Sequence, residues 1–232
     1  MADPNRALFE SVVRLLGPVL DELVFVGGCT TGLFITDSAA AGIRPTKDVD
    51  AIVDVTSYAK YTLLAERLRG IGLAEDTTPD ALLCRWRRDD VIVDVMPIDA
   101  TVLGFSNRWY PAAIETAQTW RIAQHDVRIV TPPLFIATKL EAFRGRGGGD
   151  VFASHDLEDI VTVVDGRSEI VDEVAAANAE VRTAIASEIR SLLDNPDFVE
   201  AIPGFLMPDA ASQARRRILE ERLRALSRSQ TI

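Results

Sequence analysis

The chain has 232 residues, of which 47% are apolar and 26% charged, so it can bury a sizeable core as an ordinary globular protein does. With 25 basic and 35 acidic residues its formal net charge is −10, which argues against non-specific binding along nucleic acid. No apolar window is long enough to span a bilayer, the first residues lack a signal-peptide core, and Cys29 and Cys84 stand far apart. These features predict a cytoplasmic protein with no membrane partner, no disulfide framework and no zinc site.

The first half of the chain alternates between helix and strand patterns. Apolar spacing predicts a first helix over 6–16, and LVFVGG then indicates a short buried strand that runs into a glycine turn. A helix over CTTGLFIT, a second strand VDAIVDV and an amphipathic helix with Ser57 as its N-cap are predicted next. Two hairpins follow, the first turning at Asp89 and Asp90 and the second near His125.

Beyond Pro132 the pattern becomes mostly helical. Helices are predicted in LFIATKLEAFRGR, in SHDLEDIVTVVDG, over 169–193 and from about Ala210, and RGRGGGD is typical of a flexible connection. The sequence therefore predicts an α+β fold. A mixed β-sheet flanked by helices is expected over 1–131, and a helical domain over 132–232.

Three aspartates stand out in the predicted strands. Side chains on a strand alternate between its faces, so Asp48 and Asp50 point the same way while Val49 and Ala51 face the core. Asp94 is a lone carboxylate in VIVDVMPI, and a charge in an apolar strand is costly unless it is paired or binds a metal. Three carboxylates drawn together need cations, and Mg²⁺ satisfies that need through oxygen ligands.

Gly27 and Gly28 lie where the first strand meets the following helix. Paired glycines let backbone N–H groups approach an anion closely, and a helix start adds its positive end. A glycine turn that cradles phosphates and a sheet that holds metal ions outline a phosphoryl-transfer site. Each feature alone has an ordinary explanation, because an Asp-x-Asp pair occurs by chance in acidic chains and a Gly-Gly after a strand is usually a turn.

Together, these glycines and Asp48, Asp50 and Asp94 resemble the pattern of the DNA polymerase β-like nucleotidyltransferase superfamily. That pattern is Gly-Gly or Gly-Ser, then Asp-x-Asp, then a third aspartate on a later strand. The chain is similar in particular to the AbiEii/MenT-like branch of bacterial nucleotidyltransferases, many of which are toxins of toxin–antitoxin pairs. This similarity rests on RPTKDVD, TKLEAFRGR and SHDLEDI, although the gap between Gly28 and Asp48 is longer than in many superfamily members.

The resemblance implies roles for further residues. A lysine on the first helix of the second half contacts the nucleoside triphosphate in that branch, and Lys139 matches it. Asp156 and Asp159 match two aspartates of the active-site wall, and Thr46 matches a hydroxyl residue beside the metal site. The helical domain is thereby expected to complete the active-site cleft. From the residues alone, Lys139 is as easily a surface lysine, and the two aspartates are as easily first-turn acids that favour the helix dipole.

The implied chemistry is transfer of NMP from NTP to an acceptor hydroxyl, with release of pyrophosphate. Asp48 and Asp50 would hold Mg²⁺ or Mn²⁺, and Asp94 would complete a second metal site and assist deprotonation of the acceptor. Lys139 and the glycine turn would bind the triphosphate. The expected acceptor is RNA, such as the tRNA 3′ end, and an antitoxin protein is an expected partner.

Two alternatives to a tRNA-modifying toxin stay open. One is modification of a small hydroxylated molecule such as an aminoglycoside, which the net charge of −10 favours because such substrates are cationic. The other is a non-catalytic partner-binding protein that has kept the fold.

Several basic and aromatic residues also allow two interpretations. Arg85 and Arg87 share a face of a hairpin strand, where they would contact nucleic acid or solvent. Trp109 and Tyr110 would stack a base or pack in the core. The C-terminal stretch QARRRILEERLRALSRSQTI carries six arginines and two glutamates, which suits a solvated helix or a patch that binds RNA or a partner.

Overall fold

The structure, a computed structural model, describes residues 3–40, 42–145 and 150–228. Contacts between residues divide the chain into two units. The sheet unit consists of Asp3–Thr30 and Pro45–Thr131, and the helical unit consists of Thr31–Arg44 and the described residues from Pro132 onward. The predicted domains, 1–131 and 132–232, remain a prediction, because contacts alone do not test whether a segment folds independently.

The sheet unit contains seven strands in the order β3-β4-β5-β2-β1-β7-β6. They are β1 Leu23–Val26, β2 Val49–Val53, β3 Ala74–Glu75, β4 Arg85–Arg88, β5 Val91–Pro97, β6 Gln118–Ile122 and β7 His125–Ile129. The pairs β2 with β5 and β1 with β7 are parallel, and the other neighbours are antiparallel. This mixed sheet, flanked by helices, confirms the predicted α+β fold class.

The helices of the sheet unit cover apolar faces of the strands. They are α1 Arg6–Leu15, α2 Tyr58–Gly70, α3 Ala100–Leu103 and α4 Tyr110–Glu115, with a 3₁₀ helix over Gly17–Glu22. The Phe9 ring of α1 packs edge to face on the Phe25 ring of β1, with centroids 5.0 Å apart. Val49 and Ala51 are fully buried, as predicted for the core face of β2. Ser57 accepts a hydrogen bond from the Lys60 backbone N–H, which confirms it as the N-cap of α2.

The two predicted hairpins are present, and each turns at or next to the residues that the sequence indicated. Asp89 has φ +52° in the turn between β4 and β5, where the sequence placed it. The second turn is formed by Ala123 and Gln124, with φ +47° and +69°, so His125 already begins β7. The second hairpin therefore turns next to His125, as predicted, although neither of its left-handed residues is a glycine or asparagine, the usual markers of such a turn.

The helical unit contains seven α-helices within its described residues. They are α5 Pro132–Gly145, α6 His155–Gly166, α7 Ile170–Ala176, α8 Ala179–Leu193, α9 Pro196–Ala201, α10 Ala210–Ala214 and α11 Arg216–Ser227. The predicted single helix over 169–193 is two helices, because the Asn178 side chain accepts a hydrogen bond from the Glu180 backbone N–H at 2.8 Å and starts α8 as its N-cap.

Two further segments complete the comparison with the predicted elements. CTTGLFIT lies largely in a 3₁₀ helix over Gly28–Phe34 instead of the expected α-helix. Most of the predicted flexible connection RGRGGGD falls on 146–149, which lie outside the described residues. None of the helices in the described ranges is both long and apolar enough to cross a membrane.

The arginines of the C-terminal stretch are held in ion pairs and backbone contacts. Arg215 Nε donates to both carboxylate oxygens of Asp165, at 3.0 and 2.9 Å, and Arg215 Nη2 donates to Asp37 at 2.8 Å. Arg222 Nη1 donates to the Val164 carbonyl at 3.0 Å. The remaining paired arginines lie one helical turn from a glutamate: Arg216 and Arg224 beside Glu220, and Arg217 beside Glu221. The stretch is therefore not simply a solvated helix face.

We expect the substitution Arg215→Met to destabilise the protein strongly. Asp165 is 1% exposed, and removing its cation leaves a buried carboxylate unpaired. Breaking such a buried pair lowers the free energy of unfolding by about 3–5 kcal/mol, which urea denaturation would measure. The matched control is Arg217→Met, which removes an exposed arginine from the same segment and should leave the urea midpoint almost unchanged. Equal midpoints for the two variants would contradict this account.

Candidate active site

Three of the predicted strands bring charged residues into one row across the sheet. In the antiparallel pairing of β4 and β5, Arg85 lies opposite Asp94. In the parallel pairing of β2 and β5, Asp94 lies opposite Asp50. Val26 of β1 lies opposite Asp50 in turn. Directly paired residues project from the same face of a sheet, so the guanidinium and the two carboxylates are neighbours.

Arg85 is the main partner of the predicted third aspartate. Its Nε donates to Asp94 Oδ1 at 2.8 Å and its Nη2 donates to Asp94 Oδ2 at 2.7 Å, which is the two-pronged geometry that matches a guanidinium to a carboxylate. Nη2 also donates to Asp48 Oδ2 at 2.9 Å. Both sequence interpretations of Arg85, a contact with nucleic acid and a solvated face, are corrected, since this side chain binds two carboxylates of its own unit. We call Asp48, Asp50, Asp94 and Arg85 the sheet cluster.

Thr46 and Asn5 hold the start of the Asp-x-Asp segment in place. The Thr46 hydroxyl donates to Asp48 Oδ1 at 2.9 Å. The Thr46 backbone N–H donates to Asn5 Oδ1 at 2.8 Å, and Asn5 is buried. Asp48 therefore accepts a hydrogen bond on each oxygen, one from Thr46 and one from Arg85, which fixes the plane of its carboxylate.

The glycine turn lies directly against Asp50. Gly27 has φ +74°, and a Cβ built on it would meet Asp50 Oδ2 at 1.9 Å. The Gly27 carbonyl accepts hydrogen bonds from the Thr30 backbone N–H at 3.1 Å and from the Thr30 hydroxyl at 2.9 Å, which close the turn. Gly28 begins the 3₁₀ helix. Glycine is thus required at position 27 both by the left-handed backbone and by the space that the Asp50 carboxylate occupies.

The helical unit contains a second group of charged residues, which we call the lysine cluster: Lys139, Asp156, Asp159 and Arg44. Lys139 Nζ lies 3.1 Å from Asp156 Oδ1 and 2.7 Å from Asp159 Oδ2. Arg44 Nη2 lies 3.2 Å from Asp159 Oδ2. Asp156 is indeed a first-turn acid of α6, but it and Asp159 are also buried and paired with Lys139, whose side chain is only 11% exposed and so is not a surface lysine.

Local sequence explains how α5 and α6 present this cluster. Ser154 caps α6 by accepting a hydrogen bond from the Leu157 backbone N–H at 3.3 Å, which places Asp156 in the first turn. Asp156 and Asp159 are three residues apart and therefore share a face of the helix. Two buried carboxylates on one face require cations, and Lys139 and Arg44 supply them.

The electrostatics of the sheet cluster favour charged Arg85 and a neutral neighbouring thiol. The hydrogen bond to Asp94, together with the negative charges of Asp94 and Asp48, raises the pKa of Arg85 above its already high ordinary value. Burial, reinforced by the negative charges of Asp94 and Asp50, raises the pKa of the Cys84 thiol to about 12. Cys84 is a free, buried cysteine, so it stays protonated beside the cluster at neutral pH.

The fit of a divalent cation to the sheet cluster differs between its three aspartates. Carboxylate oxygens are the ligands that Mg²⁺ and Mn²⁺ prefer, and Asp48 and Asp50 suit such an ion by their chemistry and adjacency. Asp94 has both oxygens on Arg85. Across residues 3–40, 42–145 and 150–228, no three histidine, cysteine, aspartate or glutamate side chains form a group that could hold a metal ion. The predicted sharing of cations by all three aspartates stays a prediction.

Trp109 and Tyr110 are placed in the core. Trp109 is buried, and the Arg108 guanidinium lies 4.6 Å from the centre of its ring. Tyr110 is also buried and begins α4. Packing, the second of the two sequence interpretations, therefore accounts for both rings.

Comparisons with known proteins give structural likeness only. No family model and no curated protein matches the chain. An antigenic nucleotidyltransferase-like protein from Paracoccidioides brasiliensis has 19% sequence identity and a TM-score of 0.49, over 86% of this chain and 94% of that one. JHP933 from Helicobacter pylori has 12% identity and a TM-score of 0.49, over 96% of this chain and 90% of that one. Identities and TM-scores this low assign neither a family nor a function to the chain.

Arg85 and Arg44 are the members of the two clusters that the sequence did not assign. A signal for Arg85 was present, since a two-residue turn at Asp89–Asp90 pairs Arg88 with Val91 and, three positions further from the turn, Arg85 with Asp94. Arg44 had no comparable signal, because its partner Asp159 is 115 residues away in the chain.

We expect Gly27→Ala to destabilise the protein and to displace the Asp50 carboxylate. The left-handed backbone alone costs roughly 1–2 kcal/mol for a residue with a Cβ, and the overlap with Asp50 adds to that cost. Urea denaturation would measure the loss. The control is Gly70→Ala, whose Cβ would meet nothing within 4 Å. A Gly27→Ala protein as stable as the Gly70→Ala protein would show that the close approach to Asp50 is not required.

Proposed function

We propose that this chain is a metal-dependent nucleotidyltransferase, which transfers NMP from an NTP to an acceptor hydroxyl and releases pyrophosphate. The observation that carries the proposal is the sheet cluster, in which two aspartates of adjacent parallel strands lie side by side and a glycine turn lies against one of them. Phosphoryl transfer needs carboxylates that can bind a cation, and beside them a turn whose backbone can approach a phosphate.

Two aspartates of the sheet cluster and two groups beside them have parts in the proposed reaction. Asp48 and Asp50 would hold Mg²⁺ or Mn²⁺, which when bound neutralises phosphate charge and polarises the α-phosphate. Thr46 keeps the Asp48 carboxylate in its orientation, and the backbone N–H groups of the Gly27–Gly28 turn would bind the triphosphate. The acceptor hydroxyl releases its proton to water, its oxygen forms a bond to the α-phosphorus, the bond from that phosphorus to the bridging oxygen breaks, and pyrophosphate leaves.

Lys139 keeps its predicted role as the lysine that contacts the triphosphate. Its ammonium is held by Asp156 and Asp159 at hydrogen-bonding distances, so its position is fixed before any ligand binds. A lysine that is fixed in this way binds phosphate oxygens with little loss of side-chain entropy. Asp156 and Asp159 therefore act as positioning residues for Lys139 in this proposal.

We propose RNA, such as the tRNA 3′ end, as the acceptor, with a toxin role and a cognate antitoxin. A small cationic molecule with hydroxyl groups is the second candidate. Two observations favour the small cationic acceptor. The net charge of the chain is −10. Most arginines of the C-terminal stretch are already paired with carboxylates or carbonyls of the helical unit. RNA binding draws on unpaired basic residues, whereas a cationic acceptor needs none.

We expect Asp50→Asn to abolish transfer of label from α-³²P-labelled NTP without unfolding the protein, since the amide keeps the shape of the carboxylate but not its charge. The loss should exceed about a hundredfold, because positioning and charge stabilisation supply most of the catalysis in such reactions. The control is Asp54→Asn, which alters an exposed aspartate just beyond β2 and should retain wild-type transfer. Wild-type transfer by the Asp50→Asn protein would refute the assignment.

The same assay distinguishes the acceptors when labelled NTPs are offered with purified tRNA and, separately, with aminoglycosides. Label on tRNA supports the RNA acceptor, and label on the drug alone supports the small-molecule candidate. Absence of NTP binding in calorimetry with Mg²⁺ present would favour the non-catalytic interpretation and refute the enzyme proposal.

We expect Lys139→Met to raise the KM for NTP by roughly tenfold or more, through loss of a charge-assisted contact to phosphate. The substitution also leaves Asp156 and Asp159 with one cation fewer, so stability will fall as well. The double variant Lys139→Met with Asp156→Asn separates the two effects, since it restores charge balance and should recover stability while KM stays high. Recovery of KM in the double variant would reduce Lys139 to a structural role.

A further inference from the structure

The guanidinium of Arg85 is paired with two of the three aspartates of the sheet cluster. The row across the sheet runs Arg85, Asp94, Asp50, so Asp94 lies between a permanent positive charge and a second carboxylate. Asp94 is 2% exposed, and a buried carboxylate of this kind must be neutralised by a partner. Arg85 performs that neutralisation within the sheet itself.

The geometry of the pair shows how firmly Asp94 is engaged. Both of its oxygens accept from Arg85, at 2.8 and 2.7 Å, and Arg85 is itself only 23% exposed. If Asp94 bound a metal ion, it would have to leave this ion pair. The partly buried guanidinium of Arg85 would then lose this carboxylate partner. Breaking a buried ion pair is strongly unfavourable, so Asp94 is a poor candidate for a metal ligand while Arg85 is present.

The charges of the cluster lead to the same conclusion. Asp48, Asp50 and Asp94 bring three negative charges to the cluster, and Arg85 offsets one of them, so the cluster needs less positive charge from bound cations than three unpaired carboxylates would. Asp48 is also engaged by Arg85, since its Oδ2 accepts a hydrogen bond from Arg85 at 2.9 Å while its Oδ1 accepts one from Thr46.

We propose that Arg85 replaces the second cation of this site, so that the protein binds one divalent ion through Asp48 and Asp50 and uses Asp94 to position Arg85. This inference rests on the proposed function for the presence of the first ion, and it revises the role of Asp94 as ligand of a second metal. Arg85 is a positioning residue for the cation site and a fixed positive charge beside it. A guanidinium is suited to this task because it remains protonated and is weakly hydrated.

The test counts bound Mn²⁺, a probe of oxygen-ligand magnesium sites, by electron paramagnetic resonance and calorimetry on the full-length protein. We expect the wild type to bind one Mn²⁺. Arg85→Met releases Asp94, so this variant should bind a second Mn²⁺ or bind the first at least about tenfold more tightly. The matched control is Arg87→Met on the same face of β4. Arg87 Nη1 lies 3.5 Å from Asp76 Oδ2, outside the sheet cluster, so this variant should bind Mn²⁺ as the wild type does.

A double variant keeps the test decisive if Arg85→Met alone fails to fold. Arg85→Met with Asp94→Asn removes both charges of the pair, so no buried carboxylate is left without a cation. If Asp94 only positions Arg85, the double variant still binds one Mn²⁺ with an affinity within roughly threefold of the wild type. If Asp94 is a metal ligand, the double variant loses Mn²⁺ binding, which overturns the proposal.

Failure of this inference is distinguishable from failure of the proposed function. A wild type that binds two Mn²⁺ and transfers NMP refutes the replacement of a cation by Arg85 and leaves the nucleotidyltransferase proposal standing. A wild type that binds one Mn²⁺ through Asp50 but transfers NMP from no NTP refutes the proposed function alone. A wild type that binds no Mn²⁺ refutes the one-ion site.

Discussion

A carboxylate that is taken out of water must be given a cation, and this requirement organises both units of the protein. In the sheet unit, Asp94 is paired with Arg85. In the helical unit, Asp159 is paired with Lys139 and Asp165 with Arg215. Each of these aspartates is almost fully buried, so each pair fixes the position of its strand or helix more tightly than an exposed pair would.

The sheet cluster shows how such a constraint produces a candidate site as well as a stable fold. Asp94 is satisfied by Arg85, whereas Asp50 is placed between that pair and the backbone of Gly27. The backbone of the Gly27 turn thereby lies directly against one carboxylate of the cluster. A fixed guanidinium has an advantage over a second metal here, because it is present at every metal concentration and needs no entry path.

The local features of the fold were predictable because they depend on near neighbours in the chain. Strand alternation predicted Asp48 and Asp50 on one face, and Ser57 caps α2 where the sequence placed it. A prediction failed where the backbone changed direction without a clear sequence signal. The helix break at Asn178 lies inside an otherwise continuous helical pattern.

The sequence by itself determined which residue types lie on which face of a helix or strand, because the helix and strand periods fix this. It also determined the register of the hairpins, because turn length fixes which residues pair. The partner of each buried charge was decided only by the tertiary structure. Asp50 meets Asp94 through a parallel strand pairing, and Lys139 meets Asp159 through the packing of two helices. Such contacts between distant segments depend on how whole elements pack, which no local pattern encodes.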